Sequence, residues 1–158
     1  MTKIFLGIIL FLIAFICGDN LSKKYANRSL FYNSLEEFNG DFISLINFRK
    51  DNLITLLKKE YSSEYLNKLL QSKIQVICNK ENNLDMPSFL LEKEKLELEE
   101  YFSQLGIYDS NTQLDFLKRY NEYFFNKVSE SKSEEKQKGA LYKKIGALIG
   151  VISFILVL

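Results

Sequence analysis

Histidine and tryptophan are absent from the 158 residues, and proline occurs once. Without histidine the chain lacks the usual general base near neutral pH and the commonest metal ligand. Two cysteines, Cys17 and Cys78, are too few for a disulfide framework or a zinc site. One proline leaves too little turn punctuation for an all-β fold. An excess of one charge is missing as well: 21 basic residues meet 20 acidic ones, a net of +1, so no global field draws in nucleic acid. No glycine-rich phosphate loop occurs, so the chain is not itself a nucleotide-driven motor. These absences leave no nucleophile–base pair and no metal set, so neither catalysis nor a cofactor is expected.

What the chain does have is two apolar ends. Ile4 to Cys17 and Ile145 to Leu158 carry no charge, and the segment between them holds nearly all of it. Fourteen helical residues span about 21 Å, short of a bilayer core of about 30 Å. Lys3 at one end, and Leu141 and Tyr142 followed by snorkelling Lys143 and Lys144 at the other, lengthen each run. Two helices apolar all round are hard to bury in so small a chain, which favours membrane helices over core helices. The division expected is an N-terminal transmembrane helix over 1–20, a helical bundle over 21–140 and a C-terminal transmembrane helix over 141–158.

Lys23, Lys24 and Arg28 follow the first run, and Lys132, Lys136, Lys138, Lys143 and Lys144 crowd the approach to the second. By the positive-inside rule the middle is cytoplasmic and both termini point out. A signal peptide is the competing reading of the first run, but no small-x-small cleavage site lies near Ile16–Gly18. Lipoprotein processing just before Cys17 favours a small residue ahead of it, and Ile16 stands there.

The middle reads as helices throughout. Phe31, Leu35, Phe38, Phe42 and Leu45 recur at four-three spacing, one stripe on a long helix continuing from the first run. Leu53, Leu56 and Leu57 form a short second segment before Tyr61. Leu66, Leu70, Ile74 and Ile77 mark a third after Ser62 and Ser63, with Cys78 at least half-buried beside it. Residues 79–85 (NKENNLD) are a loop, and Asp85 ahead of Pro87 predicts a helix start. That helix would end at Leu105, with Gly106 as its C-cap. Ser110 and Gln113 suit a capping box for the next, whose stripe is Leu114, Leu117, Asn121, Phe124 and Val128. From there the helix continues, with a soft spot around Ser129–Ser133, into the last run. The fold class is all-α, an antiparallel helical bundle of about five or six segments carrying a transmembrane helix at each end.

Gly146 and Gly150 make a small-xxx-small face in the last run, suited to close packing on the first run through Gly7 or on a neighbouring subunit. Glu92, Glu94, Glu97, Glu99 and Glu100 offer either a solvated helix exterior or a face for a basic partner, such as an ATPase surface. The lysines beside the runs would touch anionic membrane lipid. Arg49 and Lys50, at the corner distal to the membrane, are the candidate docking pair. Tyr120, Tyr123, Phe124 and Phe125 lack the basic stripe a single-strand platform needs, so they read as core. Nucleic acid and a small-molecule substrate are not expected.

Leu105-Gly106-Ile107-Tyr108-Asp109-Ser110-Asn111-Thr112-Gln113 resembles the Leu-Gly-x-x-Asp-x-x-x-Gln of the stage III sporulation protein AB family. The string from Leu141-Tyr142 through Ile145-Gly146 and Leu148 to Gly150 is similar to that family's entry into its last membrane helix, and the lengths agree. In the first half Ile46-Asn47-Phe48-Arg49-Lys50-Asp51-Asn52-Leu53 stands where the family reads Ile-x-Tyr-Gly-x-Thr-Pro-Leu. Its glycine and proline are Arg49 and Asn52 here, with Asp51 available as an N-cap. An Ala-Trp pair ahead of the fourth helix is replaced by a lone Phe89.

The resemblance implies a subunit of the secretion-like channel complex joining mother cell and engulfed forespore. It implies a soluble domain similar to the cytoplasmic domain of type II secretion platform proteins. It further implies partners among a cytoplasmic secretion-type ATPase and other stage III sporulation membrane proteins, with Leu105, Gly106, Asp109 and Gln113 as signature residues of structural role. The competing readings are a lipoprotein or exported helical domain, a platform subunit of another secretion or pilus system, and a holin-like membrane-perturbing protein.

Overall fold

In the computed structural model, residues 2–48, 53–78 and 83–157 are described, and every regular element among them is helical. In chain order these are α1 (Thr2–Phe48), α2 (Leu53–Leu57), α3 (Glu64–Ile77), α4 (Glu92–Gln104), α5 (Ser110–Glu134), a π turn (Glu135–Gly139) and α6 (Ala140–Val157). The all-α architecture expected from proline scarcity and three-four spacing is the one that forms. By its internal contacts the chain divides into two units. One joins Met1–Ser29 with Glu130–Leu158; the other is Leu30–Ser129.

The central unit is held by an apolar face that α1 shares with α2 to α5. Phe31, Leu35, Phe38 and Phe42 are buried as their spacing predicts, and Leu45 is half-buried. Leu66, Leu69 and Leu70 of α3, Leu98, Tyr101 and Phe102 of α4, and Leu117 and Phe124 of α5 close on them. Tyr101 packs among Phe102, Phe116, Tyr120 and Phe124, with ring centroids 4.8–5.9 Å apart. Such ring pairs each add about 0.5–1.5 kcal/mol beyond their buried area.

Inside this core sits one polar knot. Asn39 is fully buried; its Oδ1 accepts from the Tyr101 hydroxyl at 2.9 Å. Its amide donates to the Leu117 carbonyl at 3.1 Å and to Asn121 Oδ1 at 3.3 Å. That knot joins α1, α4 and α5, and it explains the asparagine in the apolar stripe of α5.

α3 begins where Ser63 caps it: Ser63 Oγ accepts the Leu66 N–H, while the Ser63 N–H donates to Ser34 Oγ at 3.1 Å. Its buried face ends sooner than its sequence stripe. Ile77 is 41% exposed and Cys78 is exposed, a correction to the expected half-buried thiol. Cys78 is the C-cap residue, its N–H turned back to the Ile74 carbonyl, and so lies past the last packed turn.

The start of α4 also differs from expectation. Asp85 and Pro87 do not open it; the Asp85 N–H donates to Ser72 Oγ, and a turn closes from the Leu90 N–H to the Pro87 carbonyl. That turn plants Phe89 and Leu90 in the core, and the helix starts only at Glu92, where the Glu94 carboxylate accepts the Leu91 N–H at 3.1 Å. The predicted end holds: the helix stops at Gln104, and Gly106 turns the chain with φ +79°. No break occurs at Ser129–Ser133. α5 runs through to Glu134, Ser131 is buried, and the irregularity is the π turn that follows.

Candidate functional site

In the two-ended unit, the first part of α1 runs antiparallel to α6, and glycine decides how closely. A Cβ on Gly18 would lie 2.8 Å from the Tyr142 carbonyl oxygen and 2.9 Å from Gly146 Cα; one on Gly146 would meet the Ala14 carbonyl oxygen at 2.9 Å. These are backbone-on-backbone contacts that no side-chain rotation relieves. Gly150 receives the Phe11 ring and Gly7 the Phe154 ring. Gly146 and Gly150 thus both face the first run, but their partners are Gly18 and Phe11, while Gly7 meets Phe154 instead.

The outward side of this pair is bare of protein. In both apolar helices only 11% of the most hydrophobic window is buried, where a core helix would be mostly covered. Residues such as Phe5, Leu12, Ile16, Leu148 and Leu156 lie exposed around it. An exposed surface of this extent fits a membrane-associated chain.

Where the apolar stretch ends, charge begins in paired form. Asp19 pairs with Lys23 at 2.7 Å and, as a longer ion pair, with Lys143 at 3.6 Å, and Tyr25 stacks on Tyr142 at 5.7 Å. Beyond them Arg28 is almost fully enclosed, with its guanidinium 2.6 Å from Glu134 and 3.6 Å from Glu130. Glu134 also holds Lys138 at 2.5 Å. In the sequence Arg28 is a flanking charge; its partners lie more than a hundred residues away, beyond any local pattern.

The Leu105–Gln113 string forms the turn between α4 and α5. Leu105 is buried, Gly106 adopts its left-handed conformation, and the Gly106 N–H donates to Gln113 Oε1 at 3.0 Å. Asp109, rather than Ser110, caps α5: its Oδ2 accepts from Asn111 N–H at 3.2 Å and Thr112 N–H at 3.3 Å. Hydrogen bonding from the Thr112 side chain, and then its backbone N–H, holds the Asp109 carboxyl below its ordinary value. The expected Ser110–Gln113 box does not form because Gln113 is already spent on Gly106. Leu105, Gly106 and Gln113 fix the corner, and the exposed Asp109 carboxylate is engaged in capping α5.

The acidic face is smaller than the sequence suggests. Glu94 is 2% exposed and pairs with Lys127 of α5 at 2.9 Å, in addition to capping α4. Glu97 accepts a hydrogen bond from the Tyr123 hydroxyl; burial first, and this bond second, push that phenol above its ordinary pKa. Glu92, Glu99 and Glu100 remain exposed, and Glu92 is paired with Lys95 at 2.7 Å. Glu97 and Glu100 flank an open cleft walled by Phe116, Tyr120 and Tyr123, where Arg119 lies 5.9 Å from the Phe116 ring. Tyr120, Tyr123 and Phe124 pack together as core, with Phe125 exposed. Among the described residues no group of His, Cys, Asp or Glu is arranged to hold a metal ion. Arg49 and Lys50, like Asp51 and Asn52, lie outside the described residues.

Compared with known families, residues 3–158 match the model of stage III sporulation protein AB. No curated protein and no solved structure matches the chain.

Proposed function

The chain belongs to the stage III sporulation protein AB family, and we propose on that premise that it is a non-enzymatic, doubly anchored platform subunit of the sporulation channel complex between mother cell and forespore. The observation that carries the reading is the glycine-packed helix pair. Its two helices come from the two apolar runs, so the whole of Leu30–Ser129 is inserted between the segments that would anchor it. An adaptor needs that arrangement: an anchor that does not turn freely, and a folded domain offered on one side of the bilayer.

Lys23, Lys24, Lys132, Lys136, Lys138, Lys143 and Lys144 support placing the middle domain in the cytoplasm and both termini outside. The role that follows is to couple a cytoplasmic secretion-type ATPase to the channel, in contact with other stage III sporulation membrane proteins and with membrane lipid. Lipoprotein processing fits the structure poorly. Cleavage before Cys17 would remove Gly7, Phe11 and Ala14, and with them most of the surface that α6 packs on.

Crosslinking inside sporulating cells from positions 49 and 50, followed by capture of the full-length protein, tests this role. Recovery of the ATPase is the expected result. Recovery of extracytoplasmic proteins alone overturns both the orientation and the platform.

A further inference from the structure

Among the described residues of the central unit, one lysine side chain is largely enclosed without an ion pair, its ammonium reaching the surface through an open cleft. Lys73 is 9% exposed, and among the described residues its ammonium forms neither an ion pair nor a hydrogen bond. The other enclosed cations differ: Arg28 has Glu134, and Lys127 has Glu94. Burial alone draws the Lys73 pKa below the ordinary lysine value, with no neighbouring charge opposing it.

Lys73 lines an open cleft of about 300 Å³ between α3 and α4. Val76 shares its α3 wall, Glu99 and Ser103 form the α4 wall, and Asn83 and Leu84 complete the lining. The Ser103 hydroxyl already donates to the Glu100 carbonyl at 2.7 Å, so it is not a free donor. What the cleft offers an incoming group is therefore an ammonium with three unused N–H donors, an amide, and two apolar side chains. A carboxylate on a short apolar stem matches that set. A doubly charged phosphate matches it less well, because the exposed Glu99 carboxylate on the opposite wall repels two negative charges more strongly than one.

We propose that this cleft is a docking pocket for an acidic side chain of a partner protein, its carboxylate on Lys73 and its methylene groups against Val76 and Leu84. The pocket goes beyond the platform reading and does not depend on which partner supplies the side chain. Its size, at the lower end for ligand sites, suits one side chain rather than a cofactor.

Competitive acetylation of the full-length protein in lipid nanodiscs, read by mass spectrometry at each lysine, tests it. The probes are a blocked Ala-Ala-Glu-Ala-Ala peptide, its glutamine twin, and acetate. Lys68, exposed on the same helix and 2.8 Å from Glu64, is the internal reference. The glutamate peptide should slow acetylation of Lys73 saturably by about tenfold, the effect of one pKa unit on free amine, and leave Lys68 unchanged. Glu99→Gln should lower the half-saturating concentration about threefold, as removal of an exposed like charge does.

The proposal is overturned by absence of protection, by equal protection from the glutamine twin, or by acetate acting as strongly as the peptide, which marks an adventitious anion site only. A lower melting temperature in Lys73→Met overturns it too. A lysine that serves binding rather than the fold should leave a more stable protein when its uncompensated charge is removed.

Discussion

Asn39 shows how much a single residue carries. Its side chain, on α1, hydrogen-bonds to both α4 and α5, and it does so in full burial. Asn39→Ala strands the Tyr101 hydroxyl and opens a small void. A loss of about 1–3 kcal/mol follows from the unsatisfied group, measurable as a lower midpoint in chemical denaturation. Asp109 acts at the opposite extreme, on the surface. Its carboxyl pKa is lowered by folding, so its stabilisation is present above the ordinary carboxylate value and is lost as pH falls through the folded one. Thermal unfolding followed from neutral pH down to about pH 3 should therefore show a smaller decline for Asp109→Asn than for the native chain. An equal decline would mean that the capping charge is not what titrates.

At the scale of elements, the helix pair makes the sharpest prediction. Ser22 Oγ would lie 3.3 Å from a Cβ on Gly139, so cysteines at these two positions are within disulfide reach. With Cys17 and Cys78 replaced by serine, Ser22→Cys with Gly139→Cys should oxidise to an intramolecular bridge. Adding Gly146→Leu, which forces α6 off the Gly18 backbone, should suppress it; persistent bridging would show that the seam tolerates bulk.

Most elements were legible in the sequence because their buried faces are apolar and regular. The α1 stripe is of this kind, and the stop at Gly106 was legible from the glycine itself. What escaped had charge on a buried face. In α4 the inward positions are Glu94, Leu98, Tyr101 and Phe102, and in α3 they include Lys73 after Leu66, Leu69 and Leu70. A glutamate or lysine in such a stripe reads as solvated until its distant partner, or its lack of one, is seen. The start of α4 was misplaced for a related reason. Pro87 suits a helix's first turn, but here the burial of Phe89 and Leu90 holds that stretch in a turn. The capping of α5 by Asp109 instead of Ser110 turned on Gln113, whose acceptor was committed to Gly106.

On the scale of the whole molecule, the platform role requires the domain between the two apolar segments to lie on the cytoplasmic side of the membrane. The protein carries its own reporter: Cys78 is exposed at the end of α3, and Cys17 lies in the first apolar helix. In a Cys17→Ser variant, Cys78 is the one thiol left. The measurement is its reaction with a membrane-impermeant maleimide on intact protoplasts of non-sporulating cells made to express the chain, whose surface membrane then carries it, compared with the same cells permeabilised. A cytoplasmic domain predicts no labelling until the membrane is opened and full labelling afterwards. Labelling of Cys78 in intact protoplasts would put the domain outside, away from any cytoplasmic ATPase, and would contradict the platform reading.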